Sequence, residues 1–143
     1  MVNEPFPRTG TLIEVTLILC EAAQVSEGKL SVLGAGWTRI SANTPKSQAL
    51  GLIVYVPFGL DRTHFGIQLR LLDFDCRQLS LKGHPVVRAA QLEVSSPAGM
   101  GPGEVHPCPM VFEFNRLAFE PGGYVWECRV DGDLRAIRPF RAI

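Results

Sequence analysis

The sequence predicts an all-β fold, an antiparallel two-sheet β-sandwich of about eight strands with Greek-key connections, immunoglobulin-like or jelly-roll-like. Three observations predict it. Apolar residues recur with a period of two in several segments, clusters of Gly, Pro, Asn and Asp separate those segments, and no helical periodicity persists beyond two turns. With 143 residues, 46% hydrophobic and 20% charged, the chain is long enough for one core that needs neither disulfides nor a metal. Residues 1–10 read as an extended arm and residues 11–143 as a single sandwich domain.

In the arm, Pro5 and Pro7 remove backbone donors and push Glu4 and Phe6 toward extended conformations, so no helix starts there. From Thr11 to Cys20 the run Leu12, Ile13, Val15, Leu17, Ile18, Leu19 is almost continuously apolar, and its β-branched content favours a strand. The next stretch, CEAAQVSEG, reads as a helical turn or an irregular link before Gly28. Leu30 and Val32 then resume an alternation, with Gly34 and Gly36 suggesting a bulge or the close approach of another backbone.

Further strands are predicted at QALGLIVYV, ending at Pro57, and at HFGIQLRLLDF, where Phe65, Ile67, Leu69 and Leu71 share a face. VVRAAQLEV follows Pro85, and CPMVFEFNRLAF follows the Pro/Gly-rich loop SSPAGMGPGEVHP. Near the end, Tyr124, Trp126, Cys128 and Val130 alternate with Val125, Glu127 and Arg129, and Asp131-Gly132 signals a hairpin. A two-residue loop would pair Cys128 with Arg135. A three-residue loop would pair Val130 with Leu134, Cys128 with Ala136 and Tyr124 with Phe140, and this is the register we read. Leu117, Pro121, Gly122 and Tyr124 resemble a tyrosine corner, which gives the Tyr124 hydroxyl a structural bond to upstream backbone.

LILCEAAQVSEGKLSVLGAGWTRI and PGGYVWECRVDG together resemble a family of small proteins of unknown function in actinobacteria and their phages. The resemblance rests on the Ala22-Ala23-Gln24 step, the Gly28-Lys29-Leu30 turn, the Gly34, Gly36, Trp37 segment and the Pro-Gly-x-Tyr-x-Trp strand. It implies a small immunoglobulin-like or jelly-roll-like sandwich and carries no catalytic residue with it.

Charge excludes some function classes. Fourteen Lys and Arg balance fourteen Asp and Glu, so no global field draws the chain to nucleic acid or an anionic membrane. The amino terminus lacks the basic start and apolar run of a secretory signal, and no apolar run is long enough to span a bilayer. Cys20, Cys76, Cys108 and Cys128 are scattered, without a CxxC pair, and read as thiols in a reducing compartment.

No chemical motif emerges. GxSxG is absent, Ser31 lies in a predicted strand, and the nearest Cys/His pair, His106 and Cys108, are neighbours along one strand face. His64 and His84 stand alone at strand starts. Structural zinc needs two ligand pairs and only His106/Cys108 comes near one. Asp61, Asp73, Asp75, Asp131 and Asp133 fall at predicted turns, where loop carboxylates could hold calcium but where Asp is also favoured for turn geometry. The phosphate-binding glycine motifs fail, and Arg129, Arg135, Arg138 and Arg141 read as a solvated face. No catalytic residue, metal site or cofactor is therefore expected.

The expectation is a non-catalytic protein–protein assembly module, an accessory or decoration subunit of a phage particle, located in the virion if phage-encoded and otherwise in the cytoplasm. Its partner would be a protein, a repeating assembly such as a capsid or further copies of itself, with Val2, Phe6 and Trp37 as interface residues. The alternative is a small-ligand or carbohydrate-binding sandwich that uses Trp37 and the loop-tip aspartates.

Overall fold

The computed structural model describes residues 13–60, 63–81 and 83–143. The arm with Val2 and Phe6, and also Asp61, lie outside the described residues. The described residues are all-β, with twelve strands in place of about eight. They are β1 (Glu14–Cys20), β2 (Ala22–Ser26), β3 (Lys29–Leu33), β4 (Arg39–Ile40), β5 (Lys46–Pro57), β6 (His64–Asp73), β7 (Ser80–Leu81), β8 (His84–Pro85), β9 (Val87–Glu93), β10 (Val105–Leu117), β11 (Gly122–Val130) and β12 (Asp133–Ala142). The additional ones are short: β4, β7 and β8 span two residues each.

Two sheets, ordered β1-β5-β10 and β4-β12-β11-β6-β9, enclose the core. Alternation decides which side chains enter it. Leu17 and Leu19 of β1, Leu50, Leu52 and Val54 of β5 and Phe114 of β10 meet Phe65, Ile67, Leu69 and Leu71 of β6, Trp126 and Cys128 of β11 and Phe140 of β12. Phe114 and Trp126 touch across the layers, ring centroids 4.8 Å apart. The pairing is antiparallel except at one edge, where β4 runs parallel to β12 through Arg141–Arg39 and Ala142–Ile40.

CEAAQVSEG is neither a helical turn nor an irregular link. Its β2 pairs with β3 in a tight hairpin, from Ala22–Leu33 to Ser26–Lys29. Glu27 and Gly28 both have positive φ, 52° and 71°, the two-residue geometry that matches strand twist. The hairpin lies on the outer face of the three-stranded sheet, and a Cβ on Gly51 would come within 3.0 Å of Leu30.

The last hairpin also departs from the expected loop. Cys128–Ala136 and Tyr124–Phe140 pair as predicted, but Val130 faces Asp133, not Leu134. Asp131 and Gly132, at φ 50° and 87°, form a two-residue tip, and the extra residue enters as a bulge beside Arg129. The bulge restores the parity that keeps Tyr124, Trp126 and Cys128 on the core face. Tyr124 Oη donates to the Glu120 carbonyl at 2.6 Å, bracing the crossing between the sheets. Burial, reinforced by the negative charges of Glu120 and Asp73, pushes the phenol pKa up, so it remains a donor.

The edges differ. Phe58 N–H donates to Glu104 O at 3.0 Å, which fixes the alternation in β10: His106, Cys108 and Met110 turn their backbone groups to β5, while Pro107 and Pro109 turn theirs to the free edge. The missing proline donors therefore blunt that edge.

Candidate functional site

The site is built where four stretches of chain end near one another. β1 terminates at Cys20, whose thiol donates to Ala49 O at 3.4 Å. Glu21 N–H then donates to Leu33 O at 2.9 Å, closing the β2–β3 hairpin. After β3, Gly34 takes φ 67°, and the Glu21 side chain lies where a Gly34 Cβ would stand, within 2.6 Å. The positive φ favours glycine here, while the exposed Glu21 side chain is free to turn aside. The chain then reaches Trp37, whose ring sits edge-on against Phe140, centroids 5.5 Å apart.

A groove of about 500 Å³ opens between these segments, the start of β5 and Ile143. Trp37 and Ile40 supply apolar wall, and Glu21, Arg39, Lys46 and Gln48 supply polar wall. Among the described residues no ion pair involves Glu21, Arg39 or Lys46. Gln48 is 6% exposed, and its Nε2 has no hydrogen-bond partner. An amide donor left in that state costs about 1–3 kcal/mol. Leu33, next to Gly34, and Ile143 are 68% and 62% exposed, the highest values among the described large apolar side chains.

Trp37 is thus half-buried, packed on Phe140 and lining the groove. The other residues singled out by sequence are not brought together. Trp126 is fully buried in the core. β6 ends at Asp73, so Asp73 and Asp75 do not share a strand face; Asp73 Oδ1 accepts from the backbone N–H of Asp75 at 2.8 Å and of Arg77 at 3.0 Å. Asp131 Oδ1 accepts from Gly66 N–H at 2.7 Å, and Asp133 pairs with Arg135 at 3.6 Å. Among the described residues no three His, Cys, Asp or Glu side chains form a metal-ligating group.

The four arginines separate as well. Arg129 is held by Glu127 and Gly132 O, Arg138 by Ile137 O, and Arg141 lies over the Phe74 ring at 5.5 Å. His64 contacts Thr63 Oγ1 and His84 is exposed in β8. Cys108 reaches the carbonyl of His106, at 3.7 Å, and not its ring. Burial raises the Cys108 pKa, and that of Cys20 against an opposing bond from the Gly51 backbone. Burial and then Glu127 push Cys128 up to about 11. Each of these thiols stays protonated at neutral pH, where a nucleophile would need the thiolate. All four cysteines are free. No helix of the described residues is long and apolar enough to cross a membrane.

Fold and groove together define a small β-sandwich protein with a mixed-charge recess at the strand ends. The chain belongs to a family of unknown function, DUF6941, whose profile matches residues 15–143. No curated protein matches its sequence. Among solved structures it is similar to the Pseudomonas fluorescens alkylpurine DNA glycosylase AlkC bound to DNA containing an abasic site analog, at 11% identity and a TM-score of 0.48. The match covers 91% of this chain and 30% of that one.

Proposed function

We propose that this protein is a non-catalytic recognition module that joins an assembly by gripping a segment of another protein at the Trp37 groove. The observation that supports this is Ile143, a large apolar side chain 62% exposed that lines the same groove as Trp37, with the still more exposed Leu33 next in the chain to Gly34 of the lining. Exposed apolar side chains at a partly polar recess are a surface that a protein segment covers. The narrower version, an accessory subunit on the repeating shell of a phage particle, draws on the sequence resemblance, and avidity across many copies would make weak single contacts sufficient.

The test is crosslinking with mass spectrometry on native particles or complexes that contain the chain, in wild type and Leu33→Asp. The expected result is crosslinks from the groove segments to one protein, lost in the variant. Equal crosslinking in the variant refutes the reading, and absence of the chain from purified virions refutes the phage version.

A second reading, a small-ligand or carbohydrate site, is favoured by the groove's volume, which falls in the range of ligand sites. It relies on Trp37 alone, since Asp73, Asp131 and Asp133 have turn or ion-pair partners. It predicts a rise in melting temperature with an added glycan.

A further inference from the structure

We infer that the free edge of β9 pairs with the β9 of a second copy of this chain, antiparallel about Ala90, joining two five-stranded sheets across a two-fold axis. The surface is separate from the groove. β9 is the terminal strand of the order β4-β12-β11-β6-β9, and its register to β6 runs from His64–Glu93 to Arg70–Val87. Val94 N–H donates to Thr63 O at 2.7 Å. Alternation from that bond turns the backbone of Leu92, Ala90 and Arg88 to β6, and that of Glu93, Gln91, Ala89 and Val87 outward. Among the described residues one outward group is met, Val87 O by Arg88 Nη1 at 3.4 Å. The other long edges are guarded. Pro107 and Pro109 face outward on β10. On β12, Arg141 N–H donates to Thr38 O, which puts donorless Pro139 and Ile137 on that outer edge, and Arg138 Nη1 takes Ile137 O at 2.9 Å. β1 is flanked by residues 36–38 and 138–139. On β9 the one cation, Arg88, lies over the Phe114 ring at 4.8 Å, and no proline, bulge or positive φ interrupts residues 89–93.

An unpaired row of N–H and C=O groups selects an extended backbone as its complement, and the register selects a second copy. Turned about Ala90, β9 sets Ala89 against Gln91 and Val87 against Glu93 of the other copy, in both directions, so every outward residue of the strand is matched. Ala90 meets its own copy on the axis. That position is the closer kind of pair, without hydrogen bonds, where a small side chain fits. Arg88 stands opposite Leu92, and no like charges face each other. A register about Ala89 would set Glu93 against Pro85, which has no donor, and one about Gln91 would set Val87 against Ser95, outside β9.

The experiment measures the mass of the full chain by sedimentation from micromolar to millimolar concentration, with backbone amide exchange followed at both extremes. The expected result is a rise from the mass of one chain toward that of a pair, with exchange slowed at Ala89, Gln91 and Glu93 only in the concentrated sample. Gln91→Pro removes an outward donor and leaves the bonds to β6 in place; it should lose the pairing while the Ile67 and Leu69 amides stay protected. The register is read by crosslinking in a Cys76→Ser background, which removes the exposed native thiol. There Ala90→Cys should form a disulfide between copies, on addition of a mild oxidant, faster than Ala89→Cys. A mass of one chain at every concentration, pairing that survives Gln91→Pro in a folded protein, or faster crosslinking through Ala89→Cys overturns the proposal. Edge protection that appears only when another protein is added also overturns it. Leu33→Asp should leave the pairing unchanged; if it abolishes the pairing, the copies meet elsewhere and the β9 proposal falls. Failure of the groove reading would leave the other results as they are, since none of those variants touches a groove residue.

Discussion

Glu127 gives the fold its sharpest electrostatic test. It points to the outer face of the five-stranded sheet yet is only 5% exposed, covered by the two arginines that bind it. Arg70 meets Oε1 with Nε at 2.9 Å and Nη2 at 2.7 Å. Arg129 meets the same oxygen with Nε at 2.7 Å and reaches Oε2 at 3.4 Å. Burial alone would raise the carboxyl pKa, but the bonds from Arg129 and Arg70 outweigh it and hold the group below its ordinary value of 4.5. In Glu127→Gln the shape survives, and three short ionic bonds become bonds from cations to a neutral amide. Each loses about 0.5–1 kcal/mol, and the arginine side chains, 28% and 30% exposed, recover part of that from water. The expected loss is about 1–2 kcal/mol in urea unfolding at pH 7. The sign with pH follows from the lowered native pKa. The contribution is complete above the unfolded-state value of about 4.5 and disappears as pH falls through the lower native pKa, so the two proteins should converge in acid. A stability difference that is absent at pH 7, or that persists undiminished at pH 2–3, would falsify the account of Glu127 as a charge-stabilised bridge.

Two further outcomes test the fold. Tyr124→Phe removes the 2.6 Å bond to Glu120 O while keeping the ring between Phe119 and Phe140; it should cost about 1 kcal/mol in denaturant unfolding, and no measurable loss would deny the hydroxyl a bracing role. Pro107→Thr/Pro109→Thr restores two donors on the free edge of β10 and should change stability by less than about 1 kcal/mol while raising the average mass in light scattering as concentration increases. A mass equal to wild type at every concentration would show that the prolines do not protect the edge.

How much of this was legible in the sequence depends on where each feature's cause lies. Strands with one face in the core were readable because burial imposes the alternation: Phe65 to Leu71, and Tyr124 to Val130, announce their register directly. The β2–β3 hairpin was not, because its residues are small or exposed and its stability comes from Leu30 and Val32 lying on Gly51, a contact between distant segments. Nothing in Glu27-Gly28 resembles the Asn-Gly or Asp-Gly signal. At the final hairpin the parity argument found the correct pairs at Cys128 and Tyr124 but placed the extra residue in the loop, when a bulge in the strand satisfies the same parity. Trp37 was the one groove residue read beforehand as a contact. Glu21, Arg39, Lys46 and Gln48 become notable only when the fold brings them to one recess without partners, and lack of a partner is a property of the folded neighbourhood.

The same neighbourhood determines which substitution can report on the groove. Trp37 is the obvious target, but its ring leans on Phe140, which stacks on Tyr124, which in turn packs on Phe119. That chain of rings fixes the wall of the groove before any partner arrives, which lowers the ordering cost of binding. It also means that truncating Trp37 removes support from the core, by about 1–3 kcal/mol for a half-buried indole. A Trp37→Ala protein that no longer binds would therefore leave recognition and folding entangled. Leu33, with most of its surface in solvent, has little native packing to lose, and a loss of partner on changing it can be attributed to the surface itself.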